Sequence, residues 1–251
     1  MVKKQKKETN LLINIDILHN VIPFLNFIDK LSVNLLSNYY NSYFKKYRLY
    51  KPVHLIYVID TTASIVTYSG DFIPNFCKLN KYLGKLDIKY SLIKFDDHFY
   101  PYDKLISPIT TKKNIKSYKN INYLINEIDF RDGGDVPEAI PDALHEVNNI
   151  KSDNETNIVI YLSDSYPHGF NSEEDSFPNG CPCNIDYNEE IKKLKESNIK
   201  FICYNLDLFK IKKDFWYIES SIEFLNILLK KTDGVLISKH EELKNYILTH
   251  L

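Results

Sequence analysis

Three short stretches of this sequence carry oxygen-bearing side chains of the kind that hold divalent cations. They are residues 60–64 (DTTAS), residues 133–138 (GGDVPE) and Asp164. Carboxylate and hydroxyl oxygens are the ligands that a hard cation such as Mg²⁺ prefers in proteins. If the three stretches meet in space, they place three carboxylates and two hydroxyls around one point. The candidate metal ligands are Asp60, Thr62, Ser64, Asp135 and Asp164.

The elements predicted around these stretches alternate between strand and helix. Residues 53–59 form a continuous apolar run rich in β-branched side chains, which is typical of a central parallel strand. Further strands are predicted at 88–95, 157–162, 200–204 and 235–238, and helices at 64–84, 114–127, 136–150, 187–197, 219–231 and 240–250. This alternation predicts an α/β fold: a doubly wound, mostly parallel sheet with helices on both faces.

A sheet of this kind would bring the candidate ligands to one edge. Ligands of such folds bind beyond the carboxyl ends of the strands, and both Asp60 and Asp164 follow predicted strands. The turn at Gly133 and Gly134 can approach the same edge, because glycine allows close passage of the backbone.

A change of pattern divides the chain into parts. Residues 1–10 are a charged, basic tail, and residues 11–50 repeat apolar side chains at three- and four-residue steps, which predicts a small N-terminal helical segment. Lys51-Pro52 marks a boundary, because the residue before proline avoids the helical conformation. Residues 52–251 are then the α/β domain.

The composition excludes several classes of partner. The chain has 251 residues, of which 44% are hydrophobic, and a net charge of −1, so it does not attract nucleic acid or anionic lipid. No signal peptide and no apolar run long enough for a membrane span is found, which predicts a soluble, cytoplasmic protein.

The cysteines and histidines do not by themselves predict a zinc site. Cys181-Pro182-Cys183 is spaced more tightly than the usual zinc knuckle, and His168 adds a third soft ligand with no fourth at a fitting spacing. Free thiols in a reducing compartment are the expectation, and the role of Cys181 and Cys183 stays open. His54 and His145 are interpreted as structural histidines.

The order of these motifs resembles a von Willebrand factor type A (vWA) domain over residues 52–251. The matching pieces are VIDTTAS, GGDVPEAI and LSDSYPHG, supported by FDDH at 95–98 and LLKKTDGVLI near the end. PHG followed by DSFPNGCP further resembles the subgroup of vWA domains found beside atypical α-kinases. No kinase domain accompanies them in this sequence, so kinase activity does not transfer.

This resemblance implies a metal-ion-dependent adhesion site (MIDAS) that holds Mg²⁺ or Mn²⁺. Thr62 and Ser64 would coordinate directly, Asp60 through water, and Asp164 would complete the shell. A free coordination position would accept water or an acidic side chain of a partner protein. Asp135 stands where many relatives carry threonine, so the occupied site would be formally −1 and would attract a partner carboxylate more weakly.

Helix capping is the competing interpretation of the same residues. Asp60, Thr62 and Ser64 would cap the following helix, and Asp135 with Glu138 would form an acidic capping box. Their joint occurrence at predicted strand ends favours the metal site. Glu138 and Asp142 are not taken as ligands, because both are predicted to lie within the following helix.

The N-terminal helical segment resembles an F-box, the module that docks onto the linker subunit of cullin-type ubiquitin ligases. The alternative is that these helices merely pack on the α/β domain. The matching positions are Asp16, Ile17, Leu18, Val21, Phe24, Leu25, Asp29, Leu31, Leu35 and Tyr40.

The sequence therefore predicts a non-enzymatic, metal-dependent protein-binding module. With the F-box-like segment it would be an adaptor that recruits its protein ligand to a cullin-type ligase. The alternatives are a metal-dependent hydrolase or phosphoryl-transfer enzyme, and a scaffold with a vestigial metal site. The enzyme is disfavoured because a haloacid-dehalogenase-type phosphatase would need a second aspartate at the position of Thr62.

Overall fold

The computed structural model describes eight stretches of the chain, all within the unit that spans Lys51–Leu251. The predicted tail at 1–10 and the F-box-like segment at 11–50 lie outside the described residues, as do the side chains of residues 66–71. The described residues are 52–84, 86, 88–98, 108–131, 133–171, 174–197, 199–204 and 217–250.

One six-stranded sheet organises these residues, in the order β3-β2-β1-β4-β5-β6. All neighbouring strands are parallel except β3, which runs antiparallel to β2 at one edge. The strands are β1 Val53–Asp60, β2 Ile88–Phe95, β3 Ile109–Ile115, β4 Thr156–Leu162, β5 Lys200–Tyr204 and β6 Val235–Ile237. All eight residues of β1 are buried, as its continuous apolar run predicts.

Helices cover both faces of this sheet, which confirms the doubly wound architecture. They are α1 Ala63–Leu83, α2 Tyr118–Asn126, α3 Ile140–Ile150, α4 Tyr187–Glu196, α5 Ile218–Thr232 and α6 His240–Thr249. On one face the ring of Tyr57 packs 5.0 Å from that of Phe76 in α1. On the other, α3, α4 and α5 enclose a core with alternate residues of β1, β2, β4 and β5. Within the described part of the chain, no helix is long and apolar enough to cross a membrane.

Two predicted boundaries are wrong. The helix predicted at 114–127 begins only at Tyr118, because residues 109–115 form the edge strand β3. Most of that strand is solvent-exposed and polar, so it lacks the apolar pattern that would predict a strand. The helix predicted at 136–150 begins at Ile140, because the backbone before it bonds to neighbouring loops: Glu138 N–H donates to Tyr166 O (2.9 Å) and Ala139 N–H to Asp96 O (3.2 Å).

Parallel pairing sets the position of the candidate ligands. In register, Asp60 lies opposite Phe95 of β2, and Ile59 lies opposite Leu162 of β4. The carboxyl ends of the three central strands therefore form one edge, where the loops after β1, β2 and β4 begin. The sheet positions these loops as the alternation of elements predicts.

A buried histidine in β1 makes the stability of this fold depend on pH. His54 is 1% exposed, its Nε2 lies 2.8 Å from Ser91 Oγ, and burial and the charge of Lys89 lower its pKa to about 4. In the unfolded chain the imidazole has its ordinary pKa of about 6.5, so below that pH the unfolded state binds a proton that the native state does not bind. Acidification therefore favours unfolding. Between pH 6.5 and pH 4 the wild type should lose up to about 3 kcal/mol of unfolding free energy relative to His54→Gln. Urea unfolding at a series of pH values measures this difference, and parallel curves for the two proteins would contradict it.

Candidate metal centre

Four of the five predicted ligands form one hydrogen-bonded chain, which we call the oxygen cluster: Asp60, Thr62, Ser64 and Asp164. Thr62 Oγ1 donates to Asp60 Oδ1 (2.7 Å) and lies 3.0 Å from Ser64 Oγ. Ser64 Oγ donates in turn to Asp164 Oδ1 (2.7 Å). This last bond joins residues that are 100 positions apart in sequence, so the loops after β1 and β4 do converge.

Local structure explains how the oxygen cluster is presented. Asp60 is the last residue of β1, and its Oδ1 also accepts the Thr62 N–H (2.9 Å), which folds the chain back on itself. Thr62 occupies the N-cap position of α1, yet its side chain makes no capping bond to that helix. The capping interpretation of Thr62 is therefore wrong, because its hydroxyl contacts the Asp60 carboxylate and the Ser64 hydroxyl instead.

Asp135 reaches the same region from the loop that precedes α3. It lines a pocket of about 270 Å³ together with Thr62, Ser64 and Asp164. Its Oδ2 accepts the Ser176 N–H, while its buried Oδ1 has no hydrogen-bond partner among the described residues. The structure thus joins four candidate ligands by hydrogen bonds and puts the fifth on the wall of the same pocket, also close to Asp97 and His168.

Glu138 lines the pocket, although its predicted position within the following helix excludes it as a metal ligand. That predicted position is wrong. Glu138 precedes α3 rather than lying within it, so Asp135 and Glu138 form no capping box at the start of that helix. Glu138 is 3% exposed and lines the pocket, and within the part of the chain that the structure describes its Oε2 has no hydrogen-bond partner. Pro141 indicates the correct start of this helix in the sequence. Proline is favoured in the first turn of a helix, so the helix is expected to begin near residue 140.

The electrostatics of the pocket favour a cation. Burial and the nearby charge of Asp164 raise the pKa of Asp60 to about 7. Burial, together with Asp60 and three further carboxylates, raises the pKa of Glu138 well above its usual range. Negative groups held together out of water destabilise each other, and a bound dication removes that penalty. The oxygen-only donor set and the orphaned carboxylate oxygens of Asp135 and Glu138 fit a hard cation such as Mg²⁺.

A second buried network holds the loops behind the pocket. Asp97 Oδ1 lies 2.9 Å from His168 Nε2, and His168 Nδ1 lies 2.8 Å from Asp175 Oδ1. Asp97 Oδ2 accepts the N–H groups of Gly134 (2.8 Å) and Asp135 (3.2 Å). A Cβ at Gly134 would collide with that oxygen, so glycine permits the close approach. Although burial alone lowers the pKa of His168, its bonds to Asp97 and Asp175 raise it overall.

The cysteines have different neighbours from those that the sequence suggests. His168, which precedes them in the same loop, pairs with Asp97 and Asp175. The four cysteines of the chain are free thiols, and Cys181 and Cys183 lie beside His98 and Asp142. His54 and His145 contact Ser91 and Glu190, respectively, as expected for structural histidines.

Comparison with known proteins places the fold. No protein-family model matches this sequence, and no curated protein matches it. The pilus adhesin SpaC of Lactobacillus rhamnosus GG, in its open conformation, matches 79% of this chain with a TM-score of 0.56 and 15% identity, but only 29% of the adhesin is covered. The conserved hypothetical protein BatB of Bacteroides thetaiotaomicron matches 79% of this chain and 96% of its own, with a TM-score of 0.50 and 11% identity. At these identities the likeness concerns the fold alone, and this chain has the α/β fold of those domains.

Proposed function

We propose that residues 52–251 form a vWA domain that binds a protein partner through a Mg²⁺ or Mn²⁺ ion and catalyses no reaction. The observation that carries this proposal is the hydrogen-bonded oxygen cluster, which opens into a pocket also lined by Asp135 and Glu138. Hydroxyl and carboxylate oxygens from the separate loops after β1 and β4 are gathered there, and this is the donor set that Mg²⁺ prefers.

Each residue of the pocket has a role in this proposal. Thr62 and Ser64 offer hydroxyl oxygens to the ion, while Asp60 and Asp164 supply charge and fix the two hydroxyls through their hydrogen bonds. Asp135 adds a third carboxylate on the pocket wall. A bound ion would supply the positive charge, and an acidic side chain of the partner would fill its free coordination position. The local excess of negative charge implies a weak, reversible contact rather than a tight one.

Recruitment of a cullin-type ubiquitin ligase through residues 11–50 is the second part of the proposal. It rests on the F-box-like sequence pattern alone and stays a prediction. An apolar surface of residues 11–50 would bind the linker subunit of the ligase. That contact should therefore not depend on a metal ion.

Metal-dependent capture tests the proposal. The immobilised full chain should recover a specific protein from a lysate of its source in Mg²⁺ and not in EDTA. Ser64→Ala should lose this recovery, because it removes one hydroxyl of the oxygen cluster while leaving both carboxylates in place. Thr110→Ala, on the exposed edge strand, is the matched control and should behave as the wild type.

The outcomes test the two parts of the proposal separately. Equal recovery in Mg²⁺ and EDTA, or full recovery by Ser64→Ala, contradicts the metal-dependent contact. Ligase subunits recovered equally in both buffers support the F-box, and their absence from both contradicts it.

A further inference from the structure

Four metal-binding side chains meet away from the pocket, in a group that we call the thiol cluster: His98, Asp142, Cys181 and Cys183. They come from the loop after β2, from α3 and from the loop between β4 and α4. One ligand atom from each lies within 4.8 Å of the corresponding atom of every other member. None of the four lines the pocket described above.

We propose that the thiol cluster binds a structural Zn²⁺ ion with two sulfur, one nitrogen and one oxygen ligand. Four-coordinate sites built from cysteine, histidine and a carboxylate are typical of zinc, whereas Mg²⁺ prefers oxygen alone. The site is separate from the proposed Mg²⁺ site in both position and chemistry.

The distances between the ligand atoms support this geometry. Cys181 Sγ lies 3.4 Å from His98 Nε2 and 3.0 Å from Asp142 Oδ2, and these last two atoms are 3.0 Å apart. A tetrahedral zinc ion with bonds of roughly 2.0–2.3 Å separates its ligands by about 3.3–3.8 Å. The ligand atoms of Cys181, His98 and Asp142 therefore need to move apart by only a few tenths of an ångström, and Cys183 Sγ lies within 4.8 Å of each of them.

The backbone around the cysteines suits a thiolate pair. The N–H of Cys183 donates to Cys181 Sγ (3.3 Å), and such a bond stabilises a charged sulfur more than a neutral thiol. The tight Cys-Pro-Cys turn thus lets both sulfurs face one point despite a spacing shorter than that of a zinc knuckle. Zinc binding would release the two thiol protons, since the ion is held by thiolates.

Three of the four side chains of the thiol cluster are buried, so a bound cation would stabilise them. His98 is 2% exposed, and Asp142 and Cys181 are each 8% exposed. Without a metal, the Cys181 thiol donates to Asp142 Oδ2 (3.0 Å). A dication would compensate the buried carboxylate and fix the loop after β4 to α3 and to the loop after β2. That loop also carries Ser176, which donates to Asp135, so zinc would stabilise one wall of the neighbouring pocket.

Metal analysis of the full chain tests the inference. Protein purified under reducing conditions and dialysed without chelator should retain one zinc per chain by elemental mass spectrometry. Replacement by Co²⁺ should give the intense visible absorption of a tetrahedral site and the charge-transfer band of thiolate ligands. Cys183→Ser should weaken Zn²⁺ binding by more than about 100-fold, beyond the 10- to 100-fold typical of changes outside the ligand shell. Cys77→Ser, a half-buried thiol elsewhere, should bind as the wild type.

Several results would overturn the inference, and each is distinct from failure of the proposed function. They are a metal-free protein that takes up no Zn²⁺, an octahedral Co²⁺ spectrum, unchanged affinity of Cys183→Ser, and a Cys181–Cys183 disulfide in the reduced preparation. Asp142→Asn provides a second variant that keeps both thiols, and it should also lose affinity. Asp60→Asn, in the oxygen cluster, should retain its zinc, so loss of Mg²⁺ binding and loss of Zn²⁺ binding are read separately.

Discussion

Asp60→Asn should lose all stabilisation by Mg²⁺ while its metal-free form is at least as stable as the metal-free wild type. In the wild type, the buried carboxylates of Asp60 and Asp164 repel each other, and burial and this repulsion raise the pKa of Asp60 to about 7. An amide of the same shape removes the repulsion and still accepts the bonds from Thr62. It also removes a charge that the cation needs.

Thermal unfolding in chelator-free buffer without and with added Mg²⁺ measures both halves of this result, because EDTA would also remove the zinc ion proposed for the thiol cluster. At a free Mg²⁺ concentration about 100 times the dissociation constant, the wild type should gain about 2.7 kcal/mol, or roughly 5–10 °C for a domain of this size. Asp60→Asn should show no shift. Glu242→Gln, an exposed carboxylate paired with Lys239, is the matched control and should keep the full shift. A wild type that melts identically in both buffers would rule out a functional metal site here.

Asp97→Ala should produce the largest loss of stability among the variants considered. The Asp97 carboxylate is 5% exposed and accepts the N–H groups of His98 (2.6 Å), Gly134 and Asp135, besides pairing with His168. Its removal leaves backbone donors unsatisfied and the imidazole of His168 with one carboxylate fewer. Breaking a buried, hydrogen-bonded charge pair typically costs about 3–5 kcal/mol.

Asp129→Ala is the control for this loss. Asp129 pairs with Arg131 at a distance of 3.1 Å, but both side chains are about 70% exposed. An exposed ion pair contributes about 0–1 kcal/mol, so this variant should unfold almost as the wild type does. Urea unfolding of both variants in EDTA separates the network from any metal effect. Equal stability of the two variants would show that the Asp97 network does not hold the loops.

The central part of the fold follows from local sequence patterns. The apolar run of β1 predicts a strand buried on both faces, and the polar residues directly after β1 and β4 predict a site at the carboxyl edge. These inferences succeed because a buried parallel strand requires a run of consecutive apolar residues, and the polar residues that follow each such run show where the strand ends. The edge strand β3 has no such apolar run, because most of its side chains face solvent.

The sequence by itself determined the central strands, the helices that cover them and which loops share an edge, whereas only the tertiary structure decided which side chains pair there. Glu138 faces the pocket because its backbone bonds to the loop at Tyr166 instead of continuing a helix. Cys181 lies beside Asp142 and His98, which are 39 and 83 residues away, while His168 pairs with Asp97. The physical reason is range: a hydrogen bond or a metal bond acts over about 2–3 Å, and periodicity in sequence sets the face of an element but not a distance that short.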